Sequence, residues 1–191
     1  PYRSIWQTES GAVAVIDQRW LPHELRIAHL EARADFAAAI AQMWVRGAPL
    51  IGATAAWGVA REMARDPSDA ALHSVCAELL ATRPTAINLR WALEDMEAHL
   101  GPLPPEARAT AAAARAGAIC DEDVAINTAL GTHGLALIAE IAATKGGAPV
   151  NVLTHCNAGW LATVDRGTAT APIYAAHEAG IAVHVWVDET R

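Results

Sequence analysis

Val150-Asn151-Val152-Leu153-Thr154-His155-Cys156-Asn157-Ala158-Gly159 reads as a short apolar strand that runs into a thiol and then into small residues. Thr168 to Ala179 has helical character, and Ile181-Ala182-Val183-His184-Val185-Trp186-Val187 is a second apolar run of strand length. Strand, helix and strand in that order make a βαβ unit, with parallel strands that are expected to be buried. Ligands of such sheets bind beyond the carboxyl ends of the strands. His155-Cys156-Asn157 and Asp188-Glu189-Thr190-Arg191 therefore stand at the ligand edge. A single βαβ leaves open edges and uncovered faces, so more sheet is expected to be supplied from elsewhere.

Toward the N-terminus, Gly146-Gly147-Ala148-Pro149 marks a change of period. Glu31 to Lys145 is rich in Ala, Leu and Glu, with apolar residues at helical spacing; Ile51, Ala55, Val59 and Met63 share one face. Breaks at Arg46-Gly47-Ala48-Pro49, Asp66-Pro67, Arg83-Pro84 and Gly101 to Pro105 divide it into about five helices. Glu94 and Asp95 read as a solvated helical face, and the seven Trp residues, Trp44, Trp57, Trp91 and Trp186 among them, as core. Before Leu30, Ala12 to Ile16 and Leu25 to Ile27 flank a turn over Asp17-Gln18-Arg19-Trp20-Leu21-Pro22, which predicts a β pair. The expected fold is α/β. A small β plus mostly helical N-terminal domain (1–145) precedes the start of a Rossmann-like parallel-sheet domain (146–191), incomplete at its C-terminus.

With 53% apolar residues over 191 and a mean hydropathy of +0.18, the chain can bury a sizeable core. A net charge of -7 argues against a general binder of nucleic acid or anionic membrane, which needs basic surface. Cys76, Cys120 and Cys156 are widely spaced, so neither a disulfide framework nor a zinc site is indicated. A cytoplasmic protein without metal is expected. The N-terminal residues have no basic segment leading into an apolar run, and no uninterrupted apolar stretch reaches the ~20 residues of a membrane span. Pro1 is not an initiator residue, which points to initial residues that are absent or renumbered.

Cys156 is the leading candidate for chemistry, since most cysteines are inert core residues whereas this one sits at a strand end between His, Asn and Gly. Strand alternation turns His155 away from the Cys156 face, so His155 and His184 read as structural. Arg166-Gly167-Thr168-Ala169-Thr170 resembles a loop entering a helix, with Thr168 as N-cap or with free N–H groups for an anion. Arg46-Gly47-Ala48-Pro49 and Arg83-Pro84-Thr85 each put a guanidinium in a turn before a helix. Two such turns in an acidic protein suggest a phosphate site. Asp188 and Glu189 are the carboxylates this topology brings near Cys156, or else partners for Arg191.

Five segments in this order resemble the methylthioribose-1-phosphate isomerase family of methionine salvage: Asp17 to Pro22, Arg46 to Pro49, Arg83 to Leu89, Thr154 to Gly159 and Asp188 to Arg191. The resemblance implies a cofactor-independent aldose-ketose isomerase acting on a phosphorylated sugar as a homodimer. Arg46, Gly47, Ala48 and Arg83 would hold the substrate, chiefly its phosphate, and Cys156 would be the catalytic cysteine. The family's aspartate proton donor, and its Gln and Asn-Lys binding residues, would lie beyond Arg191. Trp160 and Val164-Asp165-Arg166 depart from the family pattern, changes that would crowd or reshape the pocket the resemblance implies. Alternatives are a related isomerase acting on ribose 1,5-bisphosphate, a non-catalytic regulatory subunit of the same fold, and a cysteine hydrolase, for which no Cys-His-Asp order is visible.

Overall fold

The computed structural model describes residues 3–188. Three short strands, β1 (Ile5–Gln7), β2 (Val13–Ile16) and β3 (Ile27–Leu30), form an antiparallel sheet in the order β1-β2-β3. The expected pair is thus extended by β1, whose register sets Ile5 against Val15 and Gln7 against Val13. Three residues are too few to show alternation, so only the pairing identifies β1 as a strand. A 3-10 turn at Gln18–Trp20 connects β2 to the chain leading into β3.

Five helices follow, as the Gly and Pro breaks predict: α1 (Arg33–Ala41), α2 (Ala48–Arg65), α3 (Asp69–Thr82), α4 (Ile87–Leu100) and α5 (Pro105–Thr144). Pro49 occupies the first turn of α2, where its missing N–H costs nothing, and the Ser68 hydroxyl caps α3 by accepting from Ala71 N–H at 3.2 Å. The predicted face of Ile51, Ala55, Val59 and Met63 is buried, but so is nearly all of α2 between Leu50 and Ala60. Helix α2 is therefore the central element, packed by α1, α3, α4 and α5 around one apolar core. Asp95 is not simply solvated: the Arg115 guanidinium of α5 grips its carboxylate at 2.6 and 3.0 Å, while Glu94 is exposed.

Helix α5 is 40 residues long and, by length and composition, apolar enough to cross a membrane. Its most apolar 18-residue window is only 17% buried, and Asn127, Thr128, Thr132 and His133 interrupt the apolar residues of its C-terminal half. The helix lies along α2 and α4, with Ala112, Ala116, Ile119 and Cys120 in the core.

After the turn at Lys145–Gly147 comes the expected βαβ: β4 (Val150–His155), α6 (Ala171–Glu178) and β5 (Val183–Asp188), with parallel strands paired from Val150↔Val183 to His155↔Asp188. The expectation of buried strands does not hold for these residues. Only Val150 is buried, joining Ile138 and Ala176 in a second small cluster, while Leu153 is 70% and Trp186 58% exposed. The reason is geometric: α5 and α6 cover this two-stranded ribbon incompletely. Glu189, Thr190 and Arg191 lie outside the described residues.

Candidate active site

Cys156 ends β4 with φ +67, a left-handed conformation that costs a non-glycine residue energy and breaks strand alternation at the thiol. It is exposed, unlike Cys76 and Cys120, whose thiols burial pushes up to about 12 and about 11 and keeps neutral. His155 points to solvent, its Nδ1 3.1 Å from the carboxylate of Asp188, its partner in strand register. Asp188 thus engages His155 at the sheet edge.

The segment after Cys156 does not pack on its own sheet. Ala162, Thr163 and Val164 are buried, with Val164 in the core of the helical body. Four contacts pin it there. Ser4 N–H donates to the Val164 carbonyl at 2.9 Å and its hydroxyl donates to the Thr163 carbonyl. Gln18 Nε2 donates to the Leu161 carbonyl at 2.7 Å, and Val164 N–H donates to Asp123 Oδ2 at 2.8 Å. Within the loop, Gly167 (φ +75) is so close to Gly159 that a Cβ would lie 2.2 Å from the Gly159 carbonyl carbon. Thr168 does not cap the helix as expected. Its hydroxyl donates to the Ala158 carbonyl, Gly167 N–H is taken by Thr163 Oγ1, and α6 begins only after Thr170. Val164-Asp165-Arg166 serves this packing, Asp165 accepting from Arg166 N–H at 2.8 Å. Trp160 is half-buried in a 3-10 turn at Trp160–Ala162, its indole N–H lacking a partner among the described residues.

The Arg46-Gly47 turn rests on this same loop. Gly47 has φ +90, and a Cβ there would lie 2.4 Å from Ala162 Cα, so a side chain is excluded both by conformation and by space. One turn into α2, a Cβ on Gly52 would sit 2.9 Å from the Asn88 carbonyl oxygen. The first turns of α2 and α4 therefore cross almost backbone to backbone, which brings the turns of Arg46 and Arg83 to one end of the bundle. Both arginines are half-buried, and neither guanidinium has an ion pair or hydrogen bond among the described residues. Ala48 is exposed at the start of α2.

A cleft of about 390 Å³ between the first turns of α2 and α4 and the middle of α5 is lined by Pro49, Asn88, Trp91, Ile126, Asn127 and Thr168 among others; Cys156, Arg46, Gly47, Ala48 and Arg83 are not on its lining. Trp91, expected in the core, is 47% exposed on its wall. Asp123 and Asn127, one turn apart on α5, form its polar floor. Burial pushes the Asp123 carboxyl up from its ordinary value, against hydrogen bonds from Val164 N–H and Asn127 that pull it down. Asn127 is 1% exposed; its Nδ2 donates to the Asp123 carbonyl at 2.9 Å, and its Oδ1 lacks a partner among the described residues. Gln18, Asp123 and Asn127 carry no assigned role in the sequence reading. The i,i+4 pairing of two polar residues on an otherwise Ala-rich helix is the signal that finds the last two.

Residues 44–191 match the Initiation factor 2 subunit family. The methylthioribose-1-phosphate isomerase of Cereibacter sphaeroides is 70% identical over 191 residues, covering all of this chain and 52% of that protein. The crystal structure of 5-methylthioribose 1-phosphate isomerase from Pyrococcus horikoshii superposes with a TM-score of 0.83 at 34% identity, over all of this chain and 53% of that one. The delta subunit of translation initiation factor eIF-2B from A. fulgidus superposes equally well, at 32% identity and 55% of its chain. The chain thus spans about half the length of the relatives it matches. The architecture is α/β, and with the match running across most of its residues the chain belongs to the Initiation factor 2 subunit family.

Proposed function

We propose that this chain carries part of the active site of an aldose-ketose isomerase that converts 5-methylthioribose 1-phosphate to 5-methylthioribulose 1-phosphate in methionine salvage. What supports the reading is 70% identity to a methylthioribose-1-phosphate isomerase over the whole of this chain, together with the Arg46-Gly47 turn packed on the loop that follows Cys156. Arg46, Arg83 and the backbone of Gly47 and Ala48 hold the phosphate, since paired guanidiniums match phosphate oxygens and the α2 N-terminus favours negative charge.

The phosphate on the anomeric oxygen prevents simple opening to a free aldehyde. Ring opening needs a proton on the ring oxygen, and isomerisation then moves one hydrogen from C2 to C1. C2 is oxidised as C1 is reduced, so the conversion balances without an external oxidant or reductant. In this reading Cys156, at the end of β4, exchanges a proton with the sugar. The family's aspartate lies beyond Arg191 in this reading. Residues 146–191 begin a second domain, and the protein works in the cytoplasm as a homodimer.

The eIF-2B delta subunit, with the same TM-score, favours a second reading as a non-catalytic regulatory subunit. An assay of the full-length polypeptide decides between them. Ketose formation from 5-methylthioribose 1-phosphate is expected; complete inactivity, with the protein folded, leaves the regulatory reading.

A further inference from the structure

The Arg46 turn and the loop after Cys156 belong to distant segments, and the Asp17-Gln18-Arg19 turn that leaves β2 reaches both. Toward the first, Gln18 N–H donates to the Trp44 carbonyl at 2.8 Å, two residues before Arg46. Toward the second, Gln18 Nε2 donates to the Leu161 carbonyl at 2.7 Å, one residue before the Ala162 that meets Gly47. One residue thus closes a triangle whose remaining side is the Gly47–Ala162 contact. Its neighbours stiffen the Trp44 corner. The buried Asp17 carboxylate accepts from Arg19 N–H at 3.1 Å and from the Arg19 guanidinium at 2.9 and 2.6 Å. So oriented, the guanidinium lies 4.5 Å from the centroid of the Trp44 ring and donates at 3.3 Å to Gln42 Oε1, which also accepts from the Trp44 indole N–H at 3.1 Å. The carbonyl, ring and indole N–H of Trp44 are all engaged. The loop's other anchors, Ser4 and Asp123, come from the start of the first sheet and from α5, and neither has a hydrogen bond to residues 44–47 among the described residues.

We infer that Gln18 is a positioning residue: it fixes the turn that grips the phosphate against the loop that follows the thiol, and it acts on the reaction through those two segments. The inference rests on the isomerase reading and adds the register between its two halves. A sugar held by its phosphate on one segment must reach a proton-transfer group on the other, and a misplacement of about 1 Å between such groups costs about 100-fold in rate. A carboxamide suits this task. Its N–H donors reach a carbonyl without adding a charge, so Gln18 neither competes with the phosphate for the arginines nor attracts it away from them.

The test uses the full-length polypeptide, with 5-methylthioribose 1-phosphate as substrate and inorganic phosphate as a competing probe. Gln18→Met removes the donor at nearly constant shape. Its kcat should fall by about 10–100-fold, while KM and inhibition by phosphate change by less than about 3-fold, because Trp44 keeps its other contacts and Gln18 its backbone N–H. Gln18→Glu carries a signature that packing alone does not produce. Ionised, it turns an acceptor toward the Leu161 carbonyl; protonated, its hydroxyl can donate, so its kcat relative to wild type should rise several-fold as pH falls from about 8 to about 5.5. Ser4→Ala removes a bond to the same loop with no link to residues 44–47, and should lower kcat by less than Gln18→Met even where its thermal midpoint falls as far. Parallel losses of kcat and phosphate inhibition in Gln18→Met, equal kcat effects of Ser4→Ala, or a Gln18→Glu ratio independent of pH would overturn the assignment while leaving the isomerase reading in place. A folded wild-type polypeptide without turnover would remove the isomerase reading, and the assignment with it.

Discussion

The helical body and the βαβ unit are built on different terms. Helix α2 is buried along most of its length and surrounded by four helices, whereas β4, α6 and β5 together bury Val150, Ala171 and Ala176. The loop that joins β4 to α6 belongs to the second unit in sequence and to the first in packing: Val164 sits in the helical core, and Ser4, Gln18 and Asp123 hold the loop from the body. The contrast teaches that the loop after Cys156 is positioned by the helical body rather than by the sheet that introduces it. Such placement suits chemistry, because a loop held by a well-packed scaffold keeps its geometry.

Three perturbations test this division, beginning with the largest effect. Cys156→Ser leaves every contact between the loop and the body intact, so turnover should fall by about 10²–10⁴-fold while the unfolding midpoint barely moves. A near wild-type rate would detach the chemistry from the loop end.

Gly47→Ala probes the seam itself. Its Cβ would collide with Ala162 at φ +90, which should cost about 3 kcal/mol by denaturant unfolding. Gly146→Ala, at φ +57 with nothing within 4 Å, should cost only about 1 kcal/mol. Equal costs at the two positions would show that the turn and the loop are not in contact.

Asp123 provides the smallest and most specific probe. Asp123→Ala strands the Val164 N–H and should cost about 1–3 kcal/mol, whereas Asp123→Asn keeps an acceptor and should restore most of it. The pH dependence has a definite sign. Because the folded carboxyl titrates above its ordinary value of 3.8, the folded state holds its proton more tightly than the unfolded chain does. Stability attributable to Asp123 is then fully present below the unfolded value and falls as pH rises through the folded one. Asp123→Asn should flatten that decline in a series of unfolding midpoints across acidic pH; an unchanged slope would place the titration elsewhere.

Local chemistry made much of the architecture readable. Each helix break lies at a Gly or Pro signal, from Arg46-Gly47-Ala48-Pro49 to Gly146-Gly147, because φ restrictions and missing N–H groups act within a few residues. The order of β4, α6 and β5 was legible from period alone. Strand β1 was not, since three residues become a strand only by pairing with β2. That Thr168 is not a helix cap was not legible, because its choice of the Ala158 carbonyl depends on how Gly167 packs against Gly159. Trp91 was misread as core because composition does not tell which side of α4 meets a cleft.

For the candidate site, residue type marked Cys156 and the arginine turns at Arg46 and Arg83, since a thiol and two guanidiniums carry their chemistry in their own atoms; Gly47 and Ala48 entered through the family resemblance. Only the tertiary structure decided that Gly47 abuts Ala162, that α2 and α4 cross at Gly52, and that Asp123 and Asn127 floor the same cleft. Those outcomes depend on close approach between segments dozens of residues apart, where a few tenths of an ångström in packing, invisible to any local pattern, determine which groups meet.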